Sequence, residues 1–135
     1  MRVLFLCYGN RIRSQMAEAW GQHLAGDSME FASAGIYGGG SILPETAAVM
    51  EEVGLDMSGK FSKRVTELDL EPFDVAVSLC DVPARSIVGP SFRGRTLDIP
   101  LPDPYGHGLD VYRQVRDKLR LIVQSLIHDL QAAVD

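Results

Sequence analysis

The 135-residue chain is short of cysteine, of positive charge and of long apolar runs, and each shortage removes a class of protein. Two cysteines cannot build the bridged framework of a small secreted scaffold, and in a reducing compartment they are more readily free or catalytic thiols than a structural bridge. Thirteen Lys and Arg against eighteen Asp and Glu leave a net charge of −5, the wrong sign for a phosphate backbone, so nucleic acid is not an expected partner. No apolar run approaches the roughly 20 residues a membrane span needs. The first such run, Val3 to Leu6, is too short for a secretory leader. A cytoplasmic location without a membrane partner is the expectation. No repeat, low-complexity tract or linker interrupts the sequence. An apolar fraction of 46% and a charged fraction of 23% suit one soluble domain, residues 1–135, around one core.

What is present is concentrated in residues 2–14, Arg-Val-Leu-Phe-Leu-Cys-Tyr-Gly-Asn-Arg-Ile-Arg-Ser. The unbroken apolar run reads as a strand buried on both faces, as in a parallel sheet. It ends at Cys7, and a helical pattern begins at Ser14. A loop that feeds a helix N-terminus turns its free N–H groups toward one point, which suits an anion. A thiolate at Cys7 is stabilised by that dipole and by the loop amides. Gly9 lets the backbone curl, and Asn10 tolerates the left-handed conformation a curl needs. Arg13 carries a fork of donors that matches two oxygens of a tetrahedral oxyanion, and Ser14 can donate its hydroxyl to the thiolate. A cysteine at a strand end is by itself most often core. Cysteine and arginine at this spacing, between a buried strand and a helix, describe instead attack on phosphorus or arsenic.

Further along, strands alternate with helical segments, which predicts an α/β fold with a parallel sheet and helices on both faces. Helix one is expected from Ser14 to Ala25 with Met16, Ala17, Trp20 and Leu24 inward, a strand over Met29–Ser33, and helix two from Pro44 to Val53 with Leu43, Ala47, Met50 and Val53 inward. Gly38-Gly39-Gly40 reads as a flexible loop at the pocket rim, without a nucleotide fingerprint. A short helix is expected over Val65–Leu70, strands over Phe73–Leu79 and Arg93–Ile99, and a last helix from Leu109 to Ala133 with Val111, Val115, Leu119, Ile122, Leu126 and Leu130 buried. Ligands of such sheets bind beyond the carboxyl ends of the strands. Cys7, Ser33, Cys80 and the Asp103 loop all follow a strand and are expected on one edge. Glu18 reads either as a solvated first-turn acid or as the partner of a nearby cation. His23 and His128 read as structural or exposed.

The stretch from Cys7 to Ser14 resembles the Cys-x5-Arg-Ser loop of the low-molecular-weight protein tyrosine phosphatases, a fold and loop shared with the thioredoxin-coupled arsenate reductases. Gln15 to Trp20 looks more like the reductases. Ser33-Ala34-Gly35 and Asp103-Pro104-Tyr105 also match, so the resemblance spans nearly the whole chain. It implies a single-domain three-layer sandwich with a four-stranded parallel sheet. It implies that Tyr8, Gly9, Asn10, Arg11, Ile12 and Ser14 form the oxyanion-binding loop, with Ser33 supporting it from beneath. It implies Cys7 as nucleophile, Arg13 as oxyanion clamp and Asp103 as general acid. Asp81, which also follows a strand, is a rival for the acid, and His107 a weaker one. Metal or organic cofactors are not implied.

Two activities follow from the resemblance. The first reading is hydrolysis of phosphate monoesters, phosphotyrosine among them, through a phosphocysteine, with a phosphorylated protein or a small ester as partner. Tyr8, Arg11, Tyr37 and Tyr105 are the rim residues expected to set its specificity. The alternative is arsenate reduction with Cys80 as second thiol and thioredoxin or glutathione as reductant. Cys80 reads equally as a buried strand-end cysteine. Residues 81–95 hold no further cysteine, and Ile12 stands where many family loops carry one. Lys60 replaces a common family histidine, and Lys63 stands where potassium-binding reductases carry an aspartate. An ammonium group there disfavours a bound cation. A non-catalytic oxyanion-binding protein is the third reading, opposed by the persistence of nucleophile, arginine and acid.

Overall fold

The computed structural model describes residues 1–134. Four parallel strands, β1 (Arg2–Cys7), β2 (Glu30–Gly35), β3 (Val75–Ser78) and β4 (Arg95–Asp98), lie in the order β2-β1-β3-β4. The helices are α1 (Arg13–Ala25), α2 (Pro44–Glu51), α3 (Ala84–Val88) and α4 (Leu109–Val134). β1 is central and buried on both faces, and its alternation divides the interior. Val3 and Phe5 join Met16, Trp20, Met50, Val115 and Leu119 beneath α1, α2 and α4. Leu4 and Leu6 join Ala84, Val88 and Phe92 beneath α3. The sheet between two helical layers is the α/β sandwich the alternation of elements implies.

The helices on the larger face are joined by polar ties as well as apolar burial. Trp20 Nε1 donates to the Arg116 carbonyl at 3.0 Å, and Arg116 Nη1 donates to the Val49 carbonyl at 2.9 Å and to Glu52 Oε1 at 2.8 Å. Arg113 Nη2 also donates to Glu52 Oε2 at 2.8 Å, and the two guanidinium groups lower the Glu52 pKa to about 2, the Arg113 hydrogen bond being the larger cause.

Gly21 of α1 packs directly against Phe31 of the sheet. A Cβ there would lie 2.6 Å from ring carbons of Phe31, which is itself stacked on Phe5 at 5.9 Å. Alanine would gain helix propensity, but overpacking against a buried ring costs more. Gly21→Ala is therefore expected to destabilise the fold by about 1–3 kcal/mol, read from the urea midpoint at unchanged slope.

Several sequence-based boundaries move. The segment expected as a helix over Val65–Leu70 is a 3-10 turn, Val65–Glu67, because Leu68 is already extended ahead of Pro72. β2 runs two residues past Ser33 to Gly35, since pairing with β1 continues to Cys7. α2 stops at Glu51, so Val53 falls outside it and is 36% exposed; Thr46, Val49 and Met50 carry its buried face. Leu24 is only half buried. In α4, Val111 and Ile122 lie at the edge of the stripe, and Tyr112, Val123 and Ile127 complete it. α3 is an element that periodicity missed, being only five residues long behind Pro83.

Candidate active site

β1 carries Cys7 to the carboxyl edge of the sheet, where residues 8–12 curl before α1 begins at Arg13. Asn10 takes φ +53°, the left-handed conformation its side chain tolerates. The curl brings the Asn10 N–H to 3.3 Å from Cys7 Sγ and the Ser14 hydroxyl to 2.8 Å. Asn10 Nδ2 donates to Ser14 Oγ at 2.8 Å, which leaves the hydroxyl hydrogen for the sulfur. The loop lies directly on the end of β2. A Cβ on Gly35 would meet the Tyr8 carbonyl at 2.6 Å and the Asn10 nitrogen at 2.9 Å, so glycine there is a packing requirement.

Arg13 is 4% exposed and ties the start of α1 to the segments that follow β3 and β4. Its Nη1 donates to the carbonyls of Leu79 at 3.3 Å and Leu101 at 2.9 Å, and its Nη2 lies 3.6 Å from Asp103 Oδ2. The other Asp103 oxygen accepts from the Tyr105 N–H at 3.0 Å, and buried Pro104 stiffens the loop. Cys7, Arg13 and Asp103 thus meet in one cleft of about 150 Å³, whose walls include Tyr8, Gly9, Arg11, Ile12, Leu43 and Tyr105. A larger groove, about 470 Å³, lies between β4 and α4, but its lining contains neither cysteine nor histidine.

The structure separates the remaining candidates. Asp81 accepts a hydrogen bond from the Tyr8 hydroxyl, which pushes the Tyr8 pKa up to about 12. It is outside the cleft lining, as is exposed His107. His23 and His128 are exposed on their helices. Of the four expected rim residues, Tyr8, Arg11 and Tyr105 line the cleft, while Tyr37 is 67% exposed and does not. The triple glycine lies outside the cleft lining: Gly38 packs on the Lys63 backbone, where a Cβ would meet the carbonyl at 2.6 Å, while Gly39 and Gly40 are exposed at positive φ. The Gly39 N–H donates to Ser62 Oγ, and the Ser62 hydroxyl donates to the Gly9 carbonyl at 2.6 Å.

Cys80 is buried two residues beyond the end of β3. The Leu79 N–H donates to the Leu6 carbonyl at 2.8 Å, so the segments holding the two cysteines leave the sheet side by side. Both thiols are free, and Cys80 Sγ rests 3.5 Å from Ser78 Oγ.

Behind the loop lies a polar cluster that sequence reading reached only in part. Glu18 is buried. It accepts from Ser33 Oγ at 3.0 Å and from Lys60 Nζ at 2.6 Å, so it is a cation's partner and not a solvated acid. Gln15 is fully buried and donates to the Asn10 Oδ1, the Asn10 carbonyl and the Phe61 carbonyl. Its only signal in the sequence was a polar residue on an otherwise apolar helix face. Lys63 Nζ lies 3.1 Å from the Phe61 carbonyl and 3.5 Å from Asn10 Oδ1. Burial pushes the Lys63 pKa down, Glu18 opposing and Lys60 adding to the shift. Asn10 Oδ1 and the Phe61 carbonyl already receive N–H donors, Glu18 is paired with Lys60, and two ammonium groups stand beside them; among the described residues Gln15 Oε1 alone is a buried side-chain oxygen without a partner. These residues do not fit a bound monovalent cation. Among the described residues no group of three His, Cys, Asp or Glu side chains could hold a metal ion.

Comparison with known proteins agrees with this geometry. A family model described as low molecular weight phosphotyrosine protein phosphatase matches residues 2–135. The glutaredoxin arsenate reductase of Synechocystis sp. is 34% identical over 130 residues, covering 93% of this chain and 95% of that protein. A solved arsenate reductase in the phosphate binding state superposes with a TM-score of 0.84 at 33% identity, covering 95% of this chain and 97% of the other. A low molecular weight protein tyrosine phosphatase from T. tengcongensis superposes with a TM-score of 0.87 at 31% identity, covering 96% and 99%.

Proposed function

The chain belongs to the low molecular weight phosphotyrosine protein phosphatase family, and within that family of enzymes we propose that it is an arsenate reductase with Cys7 as nucleophile. The sequence alone ranked hydrolysis of phosphate monoesters first; relatives of near-equal length named arsenate reductases support the reverse order. The observation that carries the reading is the pair of buried thiols at one sheet edge, Cys7 on β1 and Cys80 just beyond β3.

In this reading arsenate enters the cleft and its oxygens are held by loop N–H groups and the Arg13 guanidinium. The Cys7 thiolate attacks arsenic, an S–As bond forms, and hydroxide departs as water with a proton from Asp103. A second thiolate, Cys80 or an external thiol, then attacks the Cys7 sulfur. The S–As electron pair stays on arsenic, arsenite leaves, and an S–S bond forms. Thioredoxin or glutathione returns the thiols by exchange. The position of Asp103 supports a second reading, phosphate monoester hydrolysis. Its carboxyl lies 3.6 Å from Arg13 in the wall of the cleft, and in this reading it gives the ester leaving group its proton.

The test is a thiol count on fully reduced protein after arsenate is added without reductant. Loss of both thiols, with a Cys7–Cys80 disulfide in the peptide map, is the expected result, and Cys80→Ser should keep its one thiol until glutathione is supplied. Glutathionylated Cys7, with Cys80 free, would assign the second step to an external thiol. Two free thiols with and without glutathione, together with rapid turnover of an aryl phosphate, would overturn the reductase in favour of the hydrolase.

A further inference from the structure

We infer that Lys63 is a positioning residue for Cys7, its ammonium group holding the nucleophile loop in place through Asn10. The contacts form one line from the back of the loop to the sulfur. The Lys63 backbone N–H reaches Asn10 Oδ1 at 2.9 Å, and its Nζ approaches the same oxygen at 3.5 Å. Gln15 Nε2 adds a third donor at 3.0 Å. With Oδ1 so committed, the amide has one orientation, and Nδ2 must face Ser14 Oγ, 2.8 Å away. Ser14 in turn gives its hydrogen to Cys7 Sγ at 2.8 Å. The other side of the ammonium is fixed by the Phe61 carbonyl at 3.1 Å and by the Phe61 ring, whose centroid is 5.2 Å away. The charged groups that face it are Glu18 and Lys60, which pair with each other at 2.6 Å.

Lys63 is held in register by backbone. Its carbonyl accepts the Gly35 N–H at 2.8 Å, and Gly35 is the residue on which the loop rests. The lysine therefore cannot drift relative to the loop it supports. A tethered cation does here what a bound ion would otherwise do for a strained, left-handed residue. It polarises the Asn10 carbonyl group and strengthens each following hydrogen bond toward the sulfur.

The inference rests on Cys7 being the reacting group of the proposed function, so its first readout needs no substrate. Wild type, Lys63→Met, Lys63→Gln and Lys63→Arg are compared by the rate of Cys7 alkylation with iodoacetamide at fixed pH, mapped by peptide mass, and by kcat, KM and Tm. The expected result is about a tenfold loss of alkylation rate and kcat in the Met and Gln variants, the scale on which groups orienting a reacting centre act. KM should change less, and arginine should restore most of the loss. Replacing potassium chloride by choline chloride should leave wild-type Tm and kcat unchanged. Wild-type alkylation in the Met and Gln variants, equal losses in the arginine variant, or a wild type that needs potassium would each overturn it. If the reductase reading failed instead, the alkylation series would still give its answer.

Discussion

Replacing Cys7 by serine is expected to abolish turnover, by at least about 10³-fold with either arsenate or an aryl phosphate, while leaving the fold and oxyanion binding in place. The reason lies in what the loop stabilises. The Asn10 N–H and the Ser14 hydroxyl converge on sulfur at 3.3 and 2.8 Å, and a serine hydroxyl can take up both contacts in the same position. Tm should therefore stay close to wild type. The oxygen, however, remains protonated near neutral pH and cannot be the leaving partner when a second thiol attacks. Phosphate binding by calorimetry, retained in the variant, separates loss of the nucleophile from loss of the cradle. Turnover within tenfold of wild type would remove the covalent step from both readings of the site.

How far the sequence foretold this site depends on the span of each contact. Cys7, Asn10, Arg13 and Ser14 sit in one run of residues, so the type and spacing of side chains carried both the local structure and its chemistry. The flanking prolines marked a stiff loop after a strand, and Asp103 was named in it through the resemblance of Asp103-Pro104-Tyr105 to the family's acid motif. Lys63 could not be read in full. Its repulsion of a cation follows from charge alone, but its two contacts to Asn10 span 53 residues and depend on Arg64 bridging to Gly35. The glycine loop was half legible for the same reason: Gly39 and Gly40 serve the turn itself through positive φ, but Gly38 announces a close approach without saying to what, and the answer is the Lys63 backbone. α3 and the end of α2 were misjudged because periodicity needs several turns, and a five-residue helix offers too few.

Arg13→Lys is the second large effect. It should lower kcat by about 10³-fold, since removing one well-aimed oxyanion donor already costs 10²–10³. Lysine keeps the charge, so any effect of charge alone would leave activity largely intact. What it loses is the fork. In the resting site Arg13 Nη1 satisfies the Leu79 and Leu101 carbonyls, at 3.3 and 2.9 Å, while Nη2 faces Asp103. A lysine ammonium cannot span these strand ends and still present two parallel N–H groups to an oxyanion. The Leu101 carbonyl then loses its donor, while the Leu79 carbonyl keeps the Leu101 N–H at 3.0 Å, so the change should cost about 1 kcal/mol of stability, visible in the urea midpoint. Because Leu79 precedes Cys80 and Leu101 precedes Asp103, the same change should loosen both the second thiol and the acid relative to Cys7. Unlike Cys7→Ser, this variant should bind phosphate weakly. A variant that bound phosphate as wild type and turned over within tenfold of it would mean that the Arg13 fork holds the strand ends together and takes no part in clamping the oxyanion.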